Sequence, residues 1–383
     1  MSNARSNRSA AAAAARASEL QPAEVFWSRK QPFLASRGYT LRPRYHPGWR
    51  PSWHGIPGVD PRAHEDFWKL PYWKNVIDAR RVSDGQLVCI KRVQSGGSEL
   101  EIVNYLSRHE TRGDPQNHSV PILESFQDNE DPQITYIVMP FFRRMDNPPF
   151  DLINDVLDFA DQVLEGLVYM HGQEVAHSRN TVSNNILMDA RAMYPQGFHP
   201  VRTGRSLDLT YPARPHTRVA TMHGTRYYFI DYGVAVRIPP FETRLAIGNV
   251  GDNTTAPEMS ALTPYDPFKV DVYVLGQVLQ RQIHDKYYRV QFLWPLIEAM
   301  TRQDPAARPT AEQALVQWRA IRRRVLLFQR ACRLRGRNEA ALEAIVLDVI
   351  SVLKVVYIIS RLFTGWSLQW LWLLLASTGR RRE

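Results

Sequence analysis

The sequence predicts an α+β protein, strand-rich towards its N-terminus and mainly helical beyond, followed by a hydrophobic helical tail. Three observations carry that expectation. Two apolar, alternating runs, Val76 to Val82 and Gln86 to Val93, flank Ser83-Asp84-Gly85, a strong hairpin signal. Residues 151–171 repeat apolar side chains at the helical period, and residues 344–379 form a mostly apolar stretch near the end of the chain.

A chain of 383 residues with 44% hydrophobic content can bury one two-lobed domain and still carry tails. Residues 1–62 hold 10 basic and 3 acidic side chains, residues 319–383 hold 13 and 4, and the central 63–318 hold 25 and 31. The basic character therefore belongs to the ends, and no nucleic-acid partner is expected for the domain. Cys89 and Cys332 are too few and too far apart for a disulfide framework or a metal cage, which favours a reducing compartment.

Residues 1–20 are expected to be a disordered arm, although their arginines and acid-poor run also resemble a mitochondrial presequence. In residues 21–62, Phe26, Trp27, Phe33, Tyr39, Tyr45, Trp49 and Trp53 are interleaved with Pro and Arg, which suggests an irregular strap packed on the domain. Residues 63–140 are assigned to a first, strand-rich part of the domain, 141–325 to a second, mainly helical part, and 326–383 to an Arg-rich linker with the tail.

The hairpin is the first regular element, and its second strand ends Val88-Cys-Ile-Lys91. A helix follows over Ser98 to Leu106, with Ile102, Val103 and Leu106 on the inward face and Glu99, in preference to Glu101, within reach of Lys91. Gln133 to Phe142 reads as a buried strand, and the helix at 151–171 leads into Val175-Ala-His-Ser-Arg-Asn-Thr-Val-Ser-Asn-Asn-Ile-Leu-Met-Asp189. An insertion from Ala190 to Arg226 precedes the strand Tyr227 to Ile230 and the triplet Asp231-Tyr232-Gly233. Ala256-Pro257-Glu258, Asp271-Val-Tyr-Val-Leu-Gly276 and Asp304-Pro-Ala-Ala-Arg308-Pro-Thr310 complete the order.

In that order these segments resemble the eukaryotic protein kinase superfamily. Met193-Tyr-Pro-Gln-Gly-Phe-His-Pro200, Pro264 to Asp271 and Ala299 to Thr310 look like a fungal branch of kinase-like proteins. The resemblance implies a bilobal protein-kinase-like fold, with 63–140 as a small β-rich N-lobe, 141–325 as a larger, mainly helical C-lobe and ATP and Mg²⁺ between them; it places Lys91 on the phosphates, Glu99 paired to it, and Asn185 and Asp231 on the metal. It also implies Met139 as gatekeeper, Pro140 to Phe142 including Phe141 as the adenine-facing link, and an ion pair between Glu258 and Arg308.

Two departures bear on activity. The preferred alignment puts Asn180 in the place of the catalytic Asp, with Arg179 before it and Ser178 in the His place; in the alternative His177 keeps that place and Arg179 replaces the Asp. Neither alignment supplies a carboxylate, and Val182 replaces a common Lys. Phe67 to Asn75, where the resemblance implies a glycine-rich turn, has no glycine. The expected function is a kinase-like pseudokinase or scaffold, with an active Ser/Thr protein kinase as the alternative and a protein substrate or binding partner in either case.

Arg319 to Arg337 contains eight Arg and no acid, and the tail ends in Leu362 to Gly379, uncharged and rich in Trp. A bilayer usually takes about 20 apolar residues to cross, so this stretch is near the lower limit. Association with an anionic membrane surface through Arg319–Arg337 and 344–379 is expected, at the cytoplasmic face; a tail docked on the domain would leave the protein cytoplasmic.

Overall fold

The computed structural model describes residues 17–69, 74–177, 183–218, 221, 224–248, 256–260 and 262–351. Arg179, Asn180 and most of the apolar tail lie outside them. The described chain is a mixed α/β fold, with an antiparallel sheet towards the N-terminus and helices towards the C-terminus. Among the described residues, no helix is long and apolar enough to cross a membrane.

The sheet has strand order β1-β2-β3-β5-β4, built from β1 (Tyr39–Thr40), β2 (Val76–Arg81), β3 (Leu87–Gln94), β4 (Glu124–Gln127) and β5 (Ile134–Pro140). The expected hairpin is present, with Gly85 at φ 69° in the left-handed region that favours glycine. Register pairs Val76 with Lys91 and Cys89 with Met139. Because successive side chains alternate faces, Val88, Ile90, Tyr136 and Val138 enter one apolar cluster, while Leu87, Val93, Ile137 and Met139 join another shared with the helices.

The first cluster is covered by α1 (Pro22–Ser36), which buries Trp27 and Leu34 against Ile77, Val88 and Tyr136. Residues 21–62 thus pack on the domain as expected, but they do so as a regular helix followed by an edge strand. Pro22 stands at the first helical turn, where its missing N–H costs nothing, and Glu24 accepts from the Gln21 backbone. Lys30 ties the helix to the sheet through Asp128 (2.9 Å) and Glu130 (2.8 Å).

On the opposite face, α2 (Ser98–Leu106) buries Ile102, Val103 and Leu106, as its periodicity predicts. The central helix α3 (Ile153–Gly172) buries Val156, Phe159, Ala160, Val163, Leu164 and Leu167. Around it lie α4 (Pro267–Leu279), α5 (Trp294–Met300) and α6 (Ala311–Arg324), with Trp318 donating from Nε1 to Asp161 at 2.6 Å. A small sheet of β6 (Arg143–Arg144), β8 (Ile186–Asp189) and β9 (Arg226–Phe229) is joined by the pair β7 (Val175–Ala176) and β10 (Val236–Arg237).

His118 and Phe229 pack tightly against α3 at Gly166. A Cβ on Gly166 would fall 2.6 Å from the His118 Cβ, so no larger residue fits there without displacing a neighbour. Burial lowers the His118 pKa to about 4, against the pull of its hydrogen bond to the Tyr227 carbonyl (2.8 Å). Below its unfolded pKa the unfolded chain binds the proton first, so this stability is full above about pH 6.5 and is lost as pH falls towards about 4. Urea unfolding should therefore show the native chain losing about 2 kcal/mol more than His118→Gln between pH 7 and pH 5. Equal losses would remove His118 as the source.

Candidate functional site

Lys91 leaves the sheet on the face turned towards the helices, because it alternates with the buried Ile90 along β3. Its Nζ donates to Glu99 Oε1 on α2 and, at 2.7 Å, to Asp231 Oδ1 just beyond β9. One ammonium therefore joins a strand, a helix and a strand end. Burial would lower the Lys91 pKa, but the charges of Glu99 and Asp231 outweigh it and raise the value above the ordinary one. The cation persists across the physiological range. Glu101 is exposed, in agreement with the choice of Glu99 as partner.

Asp231 holds φ 64°, a left-handed conformation that Asp tolerates better than most residues. Gly233 lies close by: a Cβ placed on it would be 3.5 Å from both Asp231 Oδ1 and Glu99 Oε2. Tyr232 is buried between them, and burial raises its phenol pKa, so the side chain serves as a neutral packing group.

Beneath Asp231, the Ile230 N–H donates to the Asn185 carbonyl at 2.9 Å, which sets the two residues side by side at the ends of β8 and β9. Asn185 itself is buried. His177, fully buried, donates from Nε2 to the Ile230 carbonyl (3.0 Å), and its backbone N–H donates to Asp271 Oδ2 on α4 (2.8 Å). The same carboxylate oxygen accepts from His171 Nε2 at 3.1 Å. Burial lowers the His177 pKa against the attraction of Asp271 and Asp231, so the ring is neutral at physiological pH. His177 is thus the anchored residue of the segment, whereas Ser178, Arg179, Asn180 and Val182 fall outside the described residues.

Met139 pairs across the ladder with Cys89, and the Phe141 N–H donates to the Leu87 carbonyl at 3.2 Å, so both sit at the C-terminal end of β5 beside the start of β3. The Phe141 ring lies 6.2 Å from Phe198 of the insertion. Glu258 and Arg308 form the expected pair, with two contacts of 2.5 and 2.8 Å and Arg308 buried. Among the described residues there is no group of three or more His, Cys, Asp or Glu side chains suited to a metal ion. Asn185 and Asp231 could together offer a metal ion two protein oxygens, fewer than a dedicated protein cage would supply.

One part of the site had no signal in the sequence. His199, in the insertion and fully buried, accepts at Nδ1 from the backbone N–H groups of Val201 (3.1 Å) and Arg202 (2.9 Å). Its proton is therefore on Nε2, which faces Glu65 Oε1 at 3.2 Å. Burial would raise the Glu65 pKa, but His199 and Arg42 hold it below the ordinary value. Arg42 also binds Asp78 on β2 (2.7 Å), and Arg202 covers the Trp68 ring at 4.3 Å. The insertion is thereby latched onto the segment that leads into β2. Residues 70–73, the centre of the glycine-free stretch, lie outside the described residues.

In comparisons with known proteins, no family model and no curated protein matches the chain.

The Asp271 carboxylate holds two buried donors, and each stranded donor costs about 1–3 kcal/mol. Asp271→Ala should lower unfolding stability by at least about 2 kcal/mol in urea titrations. A loss within experimental error would show that the His177 segment does not depend on this carboxylate.

Proposed function

We propose that the chain is a protein-kinase-like protein whose cleft retains residues for a nucleotide's phosphates and Mg²⁺ but is impaired in phosphotransfer. The observation that carries this reading is the double ion pair of Lys91 with Glu99 and Asp231. These are three of the residues that the motif resemblance selects, and they come from separate parts of the chain. Lys91 would face the phosphates, and Asp231 with Asn185 would face the metal. When bound, MgATP would supply the transferable phosphoryl group.

The impairment rests on the loop. The bonds made by His177 support the alignment in which it keeps the His place, so that Arg179 rather than Asn180 stands where a base is needed. A guanidinium cannot accept a proton, and an amide is no better. Loss of general-base catalysis alone removes about 10²–10⁴-fold in rate. The chain then acts by binding a protein partner. The second reading, a slow Ser/Thr kinase, is favoured by the same Lys91–Glu99 pair, because phosphoryl transfer depends largely on positioning and electrostatics.

Melting of the purified full chain with and without MgATP tests the shared part of these readings. A rise in Tm is expected that needs Mg²⁺, disappears in Lys91→Met and loses its metal dependence in Asp231→Asn. Absence of a shift in the native chain, or a shift that survives both substitutions, would sink the cleft assignment. Radiolabelled phosphate transfer dependent on Lys91 and Asp231 would replace the pseudokinase reading with the kinase one.

A further inference from the structure

Away from the cleft, the described chain ends in a corner that leaves large apolar side chains in solvent. Helix α6 closes with Arg322, Arg323 and Arg324, and Leu326, Leu327 and Phe328 follow with 54%, 80% and 68% exposure. The chain then runs back across the helices. The Ile153 N–H donates to the Cys332 carbonyl (3.0 Å), and the Leu334 N–H donates to the Asp151 carbonyl (2.7 Å). The groove beside this corner has a volume of about 510 Å³ and is walled by Phe292, Ile321, Val325 and Cys332 with Arg324.

Residues 341–351 are helical and are held to this corner by Arg333, which pairs with Asp348 (2.8 Å) and Glu339 (2.8 Å). Ala344 is buried, while Leu342, Ile345, Val346, Val349 and Ile350 are all exposed. That spacing is one helical face, and such a face ordinarily turns to a core. Here the inward side is occupied by a small residue and ion pairs.

Charge decides what covers the corner. Among the described residues Arg323, Arg324, Arg330, Arg335 and Arg337 make no ion pair with an acid, whereas Arg319 and Arg322 pair with Glu165 and Asp161. Exposed Glu343 is the opposing charge on the stripe-bearing helix. Residues 352–383 add Lys354, Arg361, Arg380, Arg381 and Arg382 against the single acid Glu383, a net positive charge that does not neutralise the corner. A second copy would bring the same positive corner.

We propose that this corner docks in the plane of an anionic bilayer surface. Leu326, Leu327, Phe328 and the stripe from Leu342 to Ile350 enter the boundary between headgroups and acyl chains, and the unpaired arginines meet lipid phosphates. The docking elements belong to the folded body as well as to the tail.

Flotation of the full chain, synthesised in the presence of vesicles, tests the proposal. The native chain should float with vesicles of phosphatidylcholine and phosphatidylserine at least tenfold better than with phosphatidylcholine alone, and high salt should reduce the difference. Leu327→Asp with Phe328→Asp should weaken flotation at least tenfold at unchanged Tm, because both side chains are exposed and the tail is intact. Arg323→Ser with Arg324→Ser should blunt the preference for anionic lipid. Equal flotation of the native chain and the Leu327/Phe328 variant, or equal binding to neutral vesicles, would overturn the proposal. A dimer in solution that does not float would assign the corner to a second copy instead.

Discussion

The arrangement of the candidate site depends on the ammonium of Lys91. Three elements distant in the chain meet at it: a strand supplies the cation, and a helix and a strand end supply the carboxylates. Placing two carboxylates near one another is unfavourable unless a cation lies between them. Lys91 supplies that cation, partly withdrawn from water, where interactions between charges are less screened. Removing it would leave Glu99 and Asp231 facing each other across the gap. Asp231 in its left-handed conformation and Gly233 beside both acids are arranged around this contact.

A second set of bonds supports it from below. His177, neutral and buried, links the Ile230 carbonyl to Asp271, so the position of Asp231 is coupled to the central helices. The Glu258–Arg308 pair secures a further segment against the same helical part. The latch between His199 and Glu65 acts on the opposite side, where the insertion grips the approach to β2. These contacts are polar and buried to some degree, which favours one geometry over many.

Much of this was legible in the sequence where local chemistry is strong. The hairpin could be read because a left-handed position needs Gly85, and α3 because its apolar period is long. The Lys91–Glu99 pair followed from asking which acid lies beside the inward face of α2. Helix α1 was hidden by Pro32 and by aromatics that gave no clean stripe, although Pro22 and Glu24 mark its start. The two alignments of the loop differ by one residue, and spacing leaves both open; the bonds that anchor His177 have no signature in the sequence. The Glu65–His199 contact spans 134 residues and has no local signature at all.

The most direct measurement is a double-mutant cycle on Lys91→Met and Asp231→Asn, followed by urea unfolding of the full chain. If Lys91 joins the strand end to the sheet, the two substitutions should be coupled by about 0.5–3 kcal/mol. Effects that add to within about 0.3–0.5 kcal/mol would contradict the account, since the two groups would then be independent in the folded protein.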